Sequence, residues 1–555
     1  MTRKSLLHAG VATGAFIALG LASPALAAHA PPPKAASSED LDALRSEVDA
    51  LKAVVQDQAT QLQSAKADLQ AQKDDSARVA QAVQADRSAI QTIPTRVDTA
   101  VAAAKPKPAG WTLTMGGFVE AASIYRSKDE TADISSSFSK LPFANDRASH
   151  TGETRFTARQ SRYSALVQGA IDKSTTAAFY GEFDFQGGAQ TANSNQSNSY
   201  NPRIRNLYGQ VDWNDLGWHL LAGQNWSLVT MNTKGITPRN EQTPPQIDAQ
   251  YIPGFAWARQ PQVRLTKDFN KTLWLSVSVE NPQTTFGSTN AATGVTVTSA
   301  QAPTNGFFNG TNYSLNTYPD VVGKAALEET VAGRHLHLEA FGIFRSFEDR
   351  VTIGPAAGTQ AALLGYAAGN ATRTTSGGGG GAGVVFEAVP RLLDVEASIM
   401  AGDGIGRYGS AGLPDVTTRP DGSLQALPEV MWLAGGTLHA TPKLDVYVFG
   451  GREAEQGKVY RPPALPASVA FGYGVLPGTS NAGCAVEGGA CSPFNKAIGQ
   501  VTAGFWDKLY QGPFGRVQVG MQYSHTDRET FADAVGYAPK ASEDMLFTSF
   551  RYYPF

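Results

Sequence analysis

Apolar residues follow two different spacings along this chain. Between residues 41 and 93 they recur at alternating intervals of three and four, whereas from residue 111 onward short stretches alternate apolar and polar side chains one for one. The first spacing is typical of a helix with a narrow apolar stripe, and the second is typical of β-strands with one apolar face. The pattern therefore predicts an N-terminal helix followed by a large β-sheet region.

The helical spacing begins at Leu41 and continues for several heptads. Alternation of three and four has a mean period of about 3.5 residues, which keeps one seam of the helix against a partner helix and defines a coiled coil. Leu and Val share the a positions, while Gln58, Gln72 and Asp86 fall at d positions. This mixture does not match a strong dimer and favours a trimer. A solvated single helix is the alternative.

The one-for-one alternation is compatible with two folds. A soluble sandwich buries its apolar face, whereas a membrane barrel turns that face to lipid. The length of the region favours the barrel, because a single sandwich of this size would be unusually large. The clearest alternating segments are residues 273–280, 393–402, 444–449 and 516–523.

Stretches rich in Gly, Asn and Ser separate the predicted strands and are expected to form long loops. Outer-membrane barrels join their strands by short turns at one rim and long loops at the other, and this region fits about sixteen strands, with eighteen as the alternative. The proline-containing segment 228–255 lies between two strands and is predicted to fold inward as a constriction loop. The predicted long loops are residues 186–201, 281–317, 353–383, 408–428 and 460–495.

Both ends of the chain resemble export signals. Arg3 and Lys4 precede an uncharged apolar segment that ends near Ala27, which predicts a secretory signal peptide, with an N-terminal membrane anchor as the alternative. No later segment has the roughly 18 consecutive apolar residues of a membrane-spanning helix. The aromatic strand that ends at Phe555 resembles the C-terminal signal of bacterial outer-membrane barrels, with Tyr553 on the same face.

These features predict an all-β transmembrane barrel of about sixteen antiparallel strands with an N-terminal α-helical coiled coil. Pro94 ends the helix, and Pro106 and Pro108 stiffen the linker that follows. The predicted regions are a signal peptide (1–27), a flexible leader (28–40), a periplasmic trimeric coiled coil (41–93), a Pro-rich linker (94–110) and an outer-membrane barrel (111–555).

Composition and charge narrow the function further. The 56 Gly, 26 Phe, 18 Tyr and 8 Trp fit the turns and aromatic girdles of a barrel. The formal net charge of −3 is nearly balanced, so nucleic acid is not expected as a partner. Cys484 and Cys491 are the two cysteines, and such a close pair in an exported protein predicts a disulfide, with a metal or redox pair as the alternative.

Other motifs carry less weight. His335 and His337 lie on one strand face without an evident third metal ligand, and Gly402–Gly406 matches part of a nucleotide-binding fingerprint that no helix follows. The glycine run Gly377–Gly381 is expected in a loop. The sequence contains neither Gly-x-Ser-x-Gly nor His-Glu-x-x-His, so neither an enzyme nor a cofactor is expected.

The order of signal peptide, coiled coil, Pro-rich linker, large barrel and terminal Phe resembles the DcaP-like trimeric porins of the bacterial outer membrane. The resemblance implies a homotrimer of channels whose arginine-lined pores admit small anionic solutes, including dicarboxylates. Four local strings are also similar to that family: Ala158–Arg162, Ala222–Ser227, Ala258–Arg264 and Gly402–Tyr408.

Five arginines are the candidate pore-lining residues. Arginine suits an anion pore because it is always charged and its planar fork holds a carboxylate at two points. Strand alternation turns Arg162, Arg264 and Arg345 away from the apolar face and toward the lumen, while Arg205 and Arg259 match the family-like strings. For each of them, an ordinary lumen arginine paired with a neighbouring acid is the alternative.

The predicted function is a passive diffusion channel of the cell outer membrane for small hydrophilic solutes, favouring anions such as dicarboxylates. Its expected partners are two further copies of the chain in a homotrimer, outer-membrane lipid and lipopolysaccharide, and small anionic solutes. Two roles stay open for the periplasmic coiled coil: it stabilises the trimer, or it reaches toward the cell wall. The alternative function is a structural anchor or envelope tether in which the barrel presents a coiled-coil stalk.

Overall fold

A computed structural model describes scattered positions between residues 46 and 81, and residues 110–188, 193–301 and 313–555. The chain divides into two compact units, residues 1–106 and 107–555. In the first unit every described position is helical and exposed. The predicted signal peptide, leader, linker and most of the coiled-coil seam lie outside the described residues, so the trimeric coiled coil stays a prediction. None of the described helices is long and apolar enough to cross a membrane.

The second unit is a closed antiparallel β-barrel with sixteen strands in its wall. Two short strands extend the wall: Glu153–Thr157 pairs with residues 122–126, and Val295–Thr298 pairs with residues 350–353. The strands are β1 (Trp111–Arg126), β2 (Arg162–Ala170), β3 (Thr175–Asp184), β4 (Arg203–Trp213), β5 (Trp218–Trp226), β6 (Arg259–Phe269), β7 (Leu273–Glu280), β8 (Asp320–Val331), β9 (Arg334–Ile353), β10 (Gly369–Val389), β11 (Leu393–Asp403), β12 (Pro428–His439), β13 (Leu444–Glu455), β14 (Asn495–Gly512), β15 (Gly515–Thr530) and β16 (Lys540–Tyr553).

The first and last strands close the barrel. β1 pairs with β16 in an antiparallel register that sets Val119 opposite Tyr552. Every other wall strand pairs with its neighbours in sequence order, as in an up-and-down barrel. The sequence-based expectation of about sixteen antiparallel strands is therefore confirmed.

Short turns join the strands at one rim, and long loops join them at the other. The turn between β8 and β9 is Ala332-Gly333, whose φ angles of 51° and 75° fit the tight hairpin turn that matches strand twist. The loops are named L1 to L8 in chain order. They include L1 (127–152), L3 (227–258), L6 (404–427) and L7 (456–494).

The loops contain short helices and strands of their own. The helices are Phe138–Lys140, Arg147–His150, Gln360–Leu363, Gly406–Tyr408 and Ala482–Ala485. The short strands are Phe286–Ser288, Ala300–Gln301, Tyr313–Ser314, Val416–Thr418, Leu424–Ala426, Lys458–Tyr460 and Phe471–Tyr473.

The prediction of one long loop is wrong over its second half. Residues 353–383 were expected to be irregular, but Gly377–Gly381 lie within β10 and pair with both β9 and β11. Neighbouring atoms occupy the space where a side chain would project; they include phenylalanine rings at Gly377 and Gly381 and are strand backbone at Gly378–Gly380. A Cβ on Gly381, for example, would lie 2.3 Å from the Phe341 ring.

The faces of the strands distinguish a membrane barrel from a sandwich. On β6 and β7 the apolar side chains point outward, with Val263 54% and Val277 47% exposed. The alternate residues Gln262 and Ser278 point inward and are buried. An apolar exterior around a polar interior is the arrangement of transmembrane barrels.

Candidate functional site

Loop L3 crosses the interior of the barrel. It leaves β5 beside Glu280 of β7, whose Oε1 accepts a hydrogen bond from the Leu228 amide at 2.8 Å. Further along L3, the Ile247 amide donates a hydrogen bond to Gln522 of β15 at 2.6 Å, on the opposite side of the barrel interior. The prediction that this proline-containing segment folds inward is confirmed, and L3 divides the lumen.

Apolar side chains fix L3 against that far wall. Tyr251 and Phe255 of L3 pack in one buried cluster with Phe449 of β13 and Trp506 of β14. The indole N–H of Trp506 also donates to the Pro245 carbonyl at 2.7 Å. Burial of aromatic side chains on both partners makes L3 a fixed part of the interior.

L1 supports L3 from the loop rim. The Ala249 amide donates to the Ile134 carbonyl at 2.9 Å, and the Asp248 carboxylate accepts hydrogen bonds from the Ser136 and Gln250 amides at 3.2 and 2.8 Å. Burial raises the pKa of the Asp248 carboxyl to about 6, because the apolar surroundings disfavour its charge.

Three of the five predicted arginines lie at the loop-side ends of three alternate strands, β2, β4 and β6. Nε of Arg205 lies 2.6 Å from Glu182, and Nε of Arg162 lies 3.8 Å from the same carboxylate oxygen. Arg259 begins β6 and pairs with Trp226 at the end of β5, the strand that lies between β4 and β6. β2, β4 and β6 thus supply one guanidinium each to a common patch on the inner wall.

A fourth arginine belongs to the same patch. Arg203 lies 2.7 Å from Asp184, which also pairs with Arg205 at 3.1 Å. Sequence reasoning missed Arg203, although its position two residues before Arg205 on one strand was the available signal. We call Arg162, Arg203, Arg205 and Arg259 the arginine patch.

The arginine patch carries more positive than negative charge. Its four guanidinium groups face two carboxylates, those of Glu182 and Asp184. The Arg205 side chain is 3% exposed, whereas those of Arg162 and Arg203 are 22% and 30% exposed. Arg205 is therefore the buried anchor of the patch, and its neighbours reach the lumen.

Arg259 is held by aromatic rings. Its guanidinium carbon lies 4.8 Å from the ring centre of Trp226 and 4.9 Å from that of Trp257. Among the described residues, Nη1 of Arg259 is buried and has no hydrogen-bond partner. Cation–π contacts fix the position of the group without using up all of its N–H donors.

The other two predicted arginines hold loops in place. Arg264 is 3% exposed and donates to the Trp226 carbonyl at 2.6 Å, at the point where L3 begins. Arg345 is 1% exposed and lies between Asp320 of β8 and Asp415 of L6, at 3.2 and 2.5 Å. Both point into the barrel as predicted, but neither is accessible from the lumen.

His335 and His337 share one carboxylate partner. Glu328 of β8 lies 2.8 Å from Nε2 of His335 and 2.6 Å from Nδ1 of His337, and Glu339 lies 3.1 Å from the other nitrogen of His337. Within the described ranges, no group of three or more His, Cys, Asp or Glu side chains is arranged to hold a metal ion.

Comparison with known proteins identifies the fold. No family model and no curated protein sequence matches the chain. Among solved structures, the outer membrane channel DcaP of Acinetobacter baumannii aligns with a TM-score of 0.52 at 18% identity, covering 81% of this chain and 99% of the channel. The chain has the fold of the DcaP channel.

Two other solved structures align over similar lengths. The anion-selective porin from Comamonas acidovorans has a TM-score of 0.43 at 10% identity, covering 80% of this chain and 99% of that one. OmpT of Vibrio cholerae has a TM-score of 0.40 at 11% identity, covering 81% and 99%. The alignment with DcaP confirms, in the fold, the resemblance to DcaP-like porins found in the sequence.

In the DcaP-like barrel, Cys484 and Cys491 are joined by a disulfide. Cys484 is buried in a cluster with Leu141 and Phe143 of L1, and the Asn145 amide donates to the Cys484 carbonyl at 3.0 Å. The disulfide therefore closes a small ring within L7 at the place where L7 packs on L1.

Proposed function

We propose that the protein is a porin of the bacterial outer membrane, a passive channel for small hydrophilic solutes that favours anions. The observation that carries this proposal is the arginine patch, which sets a surplus of positive charge on the lumen wall. The DcaP-like fold, the apolar exterior and the inward L3 support the channel itself. The coiled coil is proposed to lie in the periplasm, where it joins three copies of the chain and contacts the cell wall.

Within the channel, the residues of the arginine patch have different roles. Arg205 is held by two carboxylates and keeps the patch in place. Arg162 and Arg203, which are partly exposed, present N–H donors to a passing anion, and Arg259 adds its charge beside them. A solute with two carboxylates can then contact more than one guanidinium group. Attraction shared among several groups lets a solute enter and also leave.

Planar-bilayer recording of the purified full-length protein tests the proposal. In a salt gradient, the wild-type reversal potential is expected to show anion preference, and added dicarboxylate is expected to reduce the current. Arg162→Gln with Arg259→Gln is expected to shift the reversal potential toward cations by removing two lumen charges. Arg350→Gln is the control. Arg350 of β9 is exposed and points away from the lumen, because the residue before it, Asp349, points inward.

The recordings test two claims separately: that the barrel conducts, and that it prefers anions. Current steps grouped in threes with anion preference support the trimeric anion channel. Cation-preferring steps in the wild type keep the porin and remove the arginine-based selectivity. A folded barrel without current favours the structural anchor instead.

A further inference from the structure

Two adjoining cavities lie on the outer face of the barrel, away from the arginine patch. The first has a volume of about 860 Å³ and is lined mainly by apolar side chains of β6 and β7 and by small residues of β8 and β9. The second, of about 380 Å³, lies at the short-turn rim and is lined by polar and charged residues. Lys267 and Phe269 line both cavities, so they form one amphipathic depression.

The strand register explains the shape of the apolar cavity. Val277 of β7 lies opposite Gly323 of β8, which lies opposite Gly342 of β9. One step toward the turns, Leu275, Ala325 and Ala340 form a parallel row. The wall therefore steps down from large side chains to small ones, and the small residues form the floor of a groove.

Packing within the barrel does not require glycine at the floor of the groove. A Cβ on Gly323 would meet no atom within 4 Å, and a Cβ on Gly342 would meet none closer than 3.8 Å. Larger outward side chains would thus fit the barrel at both positions. The groove is a feature of the outer surface and not a consequence of interior packing.

The polar cavity contains charges of both signs. Lys267, Lys271 and Asp215 line it, as does Asp268, whose buried carboxylate lies 3.0 Å from Nε2 of His219. Nζ of Lys267 lies 5.7 Å from the ring centre of Trp218 and 5.0 Å from that of Phe269. Aromatic rings and a lysine at this level are typical of the boundary between hydrocarbon and headgroups.

We propose that this depression binds a zwitterionic glycerophospholipid, with an acyl chain in the groove over Gly323 and Gly342 and the headgroup in the polar cavity. Lys267 and Lys271 complement the phosphate, and Asp215 complements the headgroup ammonium. The proposal rests on the proposed function in one respect: the barrel lies in the outer membrane with its short turns in the periplasm. The lipid then comes from the inner leaflet.

Native mass spectrometry of the full-length protein, stripped of lipid in detergent and titrated with phosphatidylethanolamine, tests the site. One bound lipid per protomer is expected to remain at detergent concentrations that remove the others. Gly323→Leu fills the groove, and Lys267→Ala removes the phosphate partner. Each is expected to weaken retention at least tenfold.

Gly209→Leu is the matched control. Gly209 is also an exposed wall glycine with no atom within 4 Å of an added Cβ, but it lies on β4 outside the groove. Retention is expected to be unchanged in this variant. Equal loss in Gly209→Leu and Gly323→Leu, or no retained lipid in the wild type, overturns the proposal.

The oligomeric state and the headgroup preference are measured as well, so that a lipid site can be told apart from a contact between copies of the chain. Dissociation of oligomers by Gly323→Leu with unchanged lipid retention assigns the groove to a contact between copies of the chain, which overturns the lipid site. Phosphatidylglycerol lacks the ammonium, so it is expected to bind more weakly, and Asp215→Asn is expected to abolish that difference. Conductance of each variant is recorded in parallel, because a conducting wild type without retained lipid refutes this inference and leaves the channel intact.

Discussion

The amide of Gly254 in L3 donates a 2.7 Å hydrogen bond to the carboxylate of Glu453 on β13. The same oxygen, Oε1, accepts a 2.9 Å hydrogen bond from the Ala411 amide of L6. A single side chain of the wall therefore holds the two loops that fill the interior. Its loss would remove one attachment of each loop at once.

Glu453→Ala is expected to increase the conductance and the current noise of the channel, because L3 and L6 lose their shared attachment. Each buried amide left without an acceptor costs about 1–3 kcal/mol. Glu453→Gln keeps an acceptor oxygen and is expected to stay close to the wild type. Single-channel recording of the two variants makes the comparison, and equal currents in both would contradict the role of Glu453.

Arg205→Ala is expected to destabilise the barrel by less than the about 3–5 kcal/mol of a fully unpaired buried charge, because Glu182 and Asp184 lose their buried partner but keep the more exposed Arg162 and Arg203. Urea unfolding followed by tryptophan fluorescence measures the change. A double-mutant cycle with Glu182→Ala is the control, and the double variant is expected to be less destabilised than the sum of the two single variants. Additive effects would show that the ion pair contributes little.

The stability of the folded protein, with L3 docked, is expected to change with pH as the Asp248 carboxyl titrates. Its folded-state pKa of about 6 lies above the ordinary value of an aspartate, so the folded state binds the proton more tightly than the unfolded state. The stability contribution is then fully present at low pH and is lost as pH rises from about 4 to about 6. Urea midpoints at several pH values are expected to show this slope in the wild type and not in Asp248→Asn.

Replacement of Cys484 and Cys491 by Ser is expected to loosen L7 and leave the barrel folded. A disulfide that closes so short a ring stabilises its loop by about 2 kcal/mol through the entropy of the open chain. Limited proteolysis is expected to cleave the variant faster within L7, with unchanged conductance. Mass analysis of unreduced wild-type peptides is the control, and two free thiols there would count against the disulfide.

The barrel was largely predictable because its strands follow a local rule. Alternation of apolar and polar residues on β7 and β11 depends only on neighbouring positions, and the prolines of L3 interrupt that alternation clearly. The glycine run in β10 was not predictable in this way, since it lacks the side chains that reveal a strand. Its pairing is set by β9 and β11 on either side.

The roles of the arginines depended on contacts that a local pattern does not contain. Arg345 pairs with Asp415, which lies 70 residues later in L6, so alternation predicted its direction but not its burial. Arg162 and Arg203 of the arginine patch pair with carboxylates of β3 and stay partly exposed, whereas Arg345 is covered where L6 contributes Asp415. Direction was therefore predictable from sequence, and accessibility was not.

The pairing of β1 with β16 has a consequence for biogenesis. The hydroxyls of Ser123 and Thr548 lie 2.6 Å apart although 425 residues separate them in the chain. The seam of the barrel can form only after the final strand has been delivered, so a partly exported chain has two open edges that lipid cannot satisfy. Loss of the last strand is thus expected to leave the protein unable to insert, however complete the rest of the wall is.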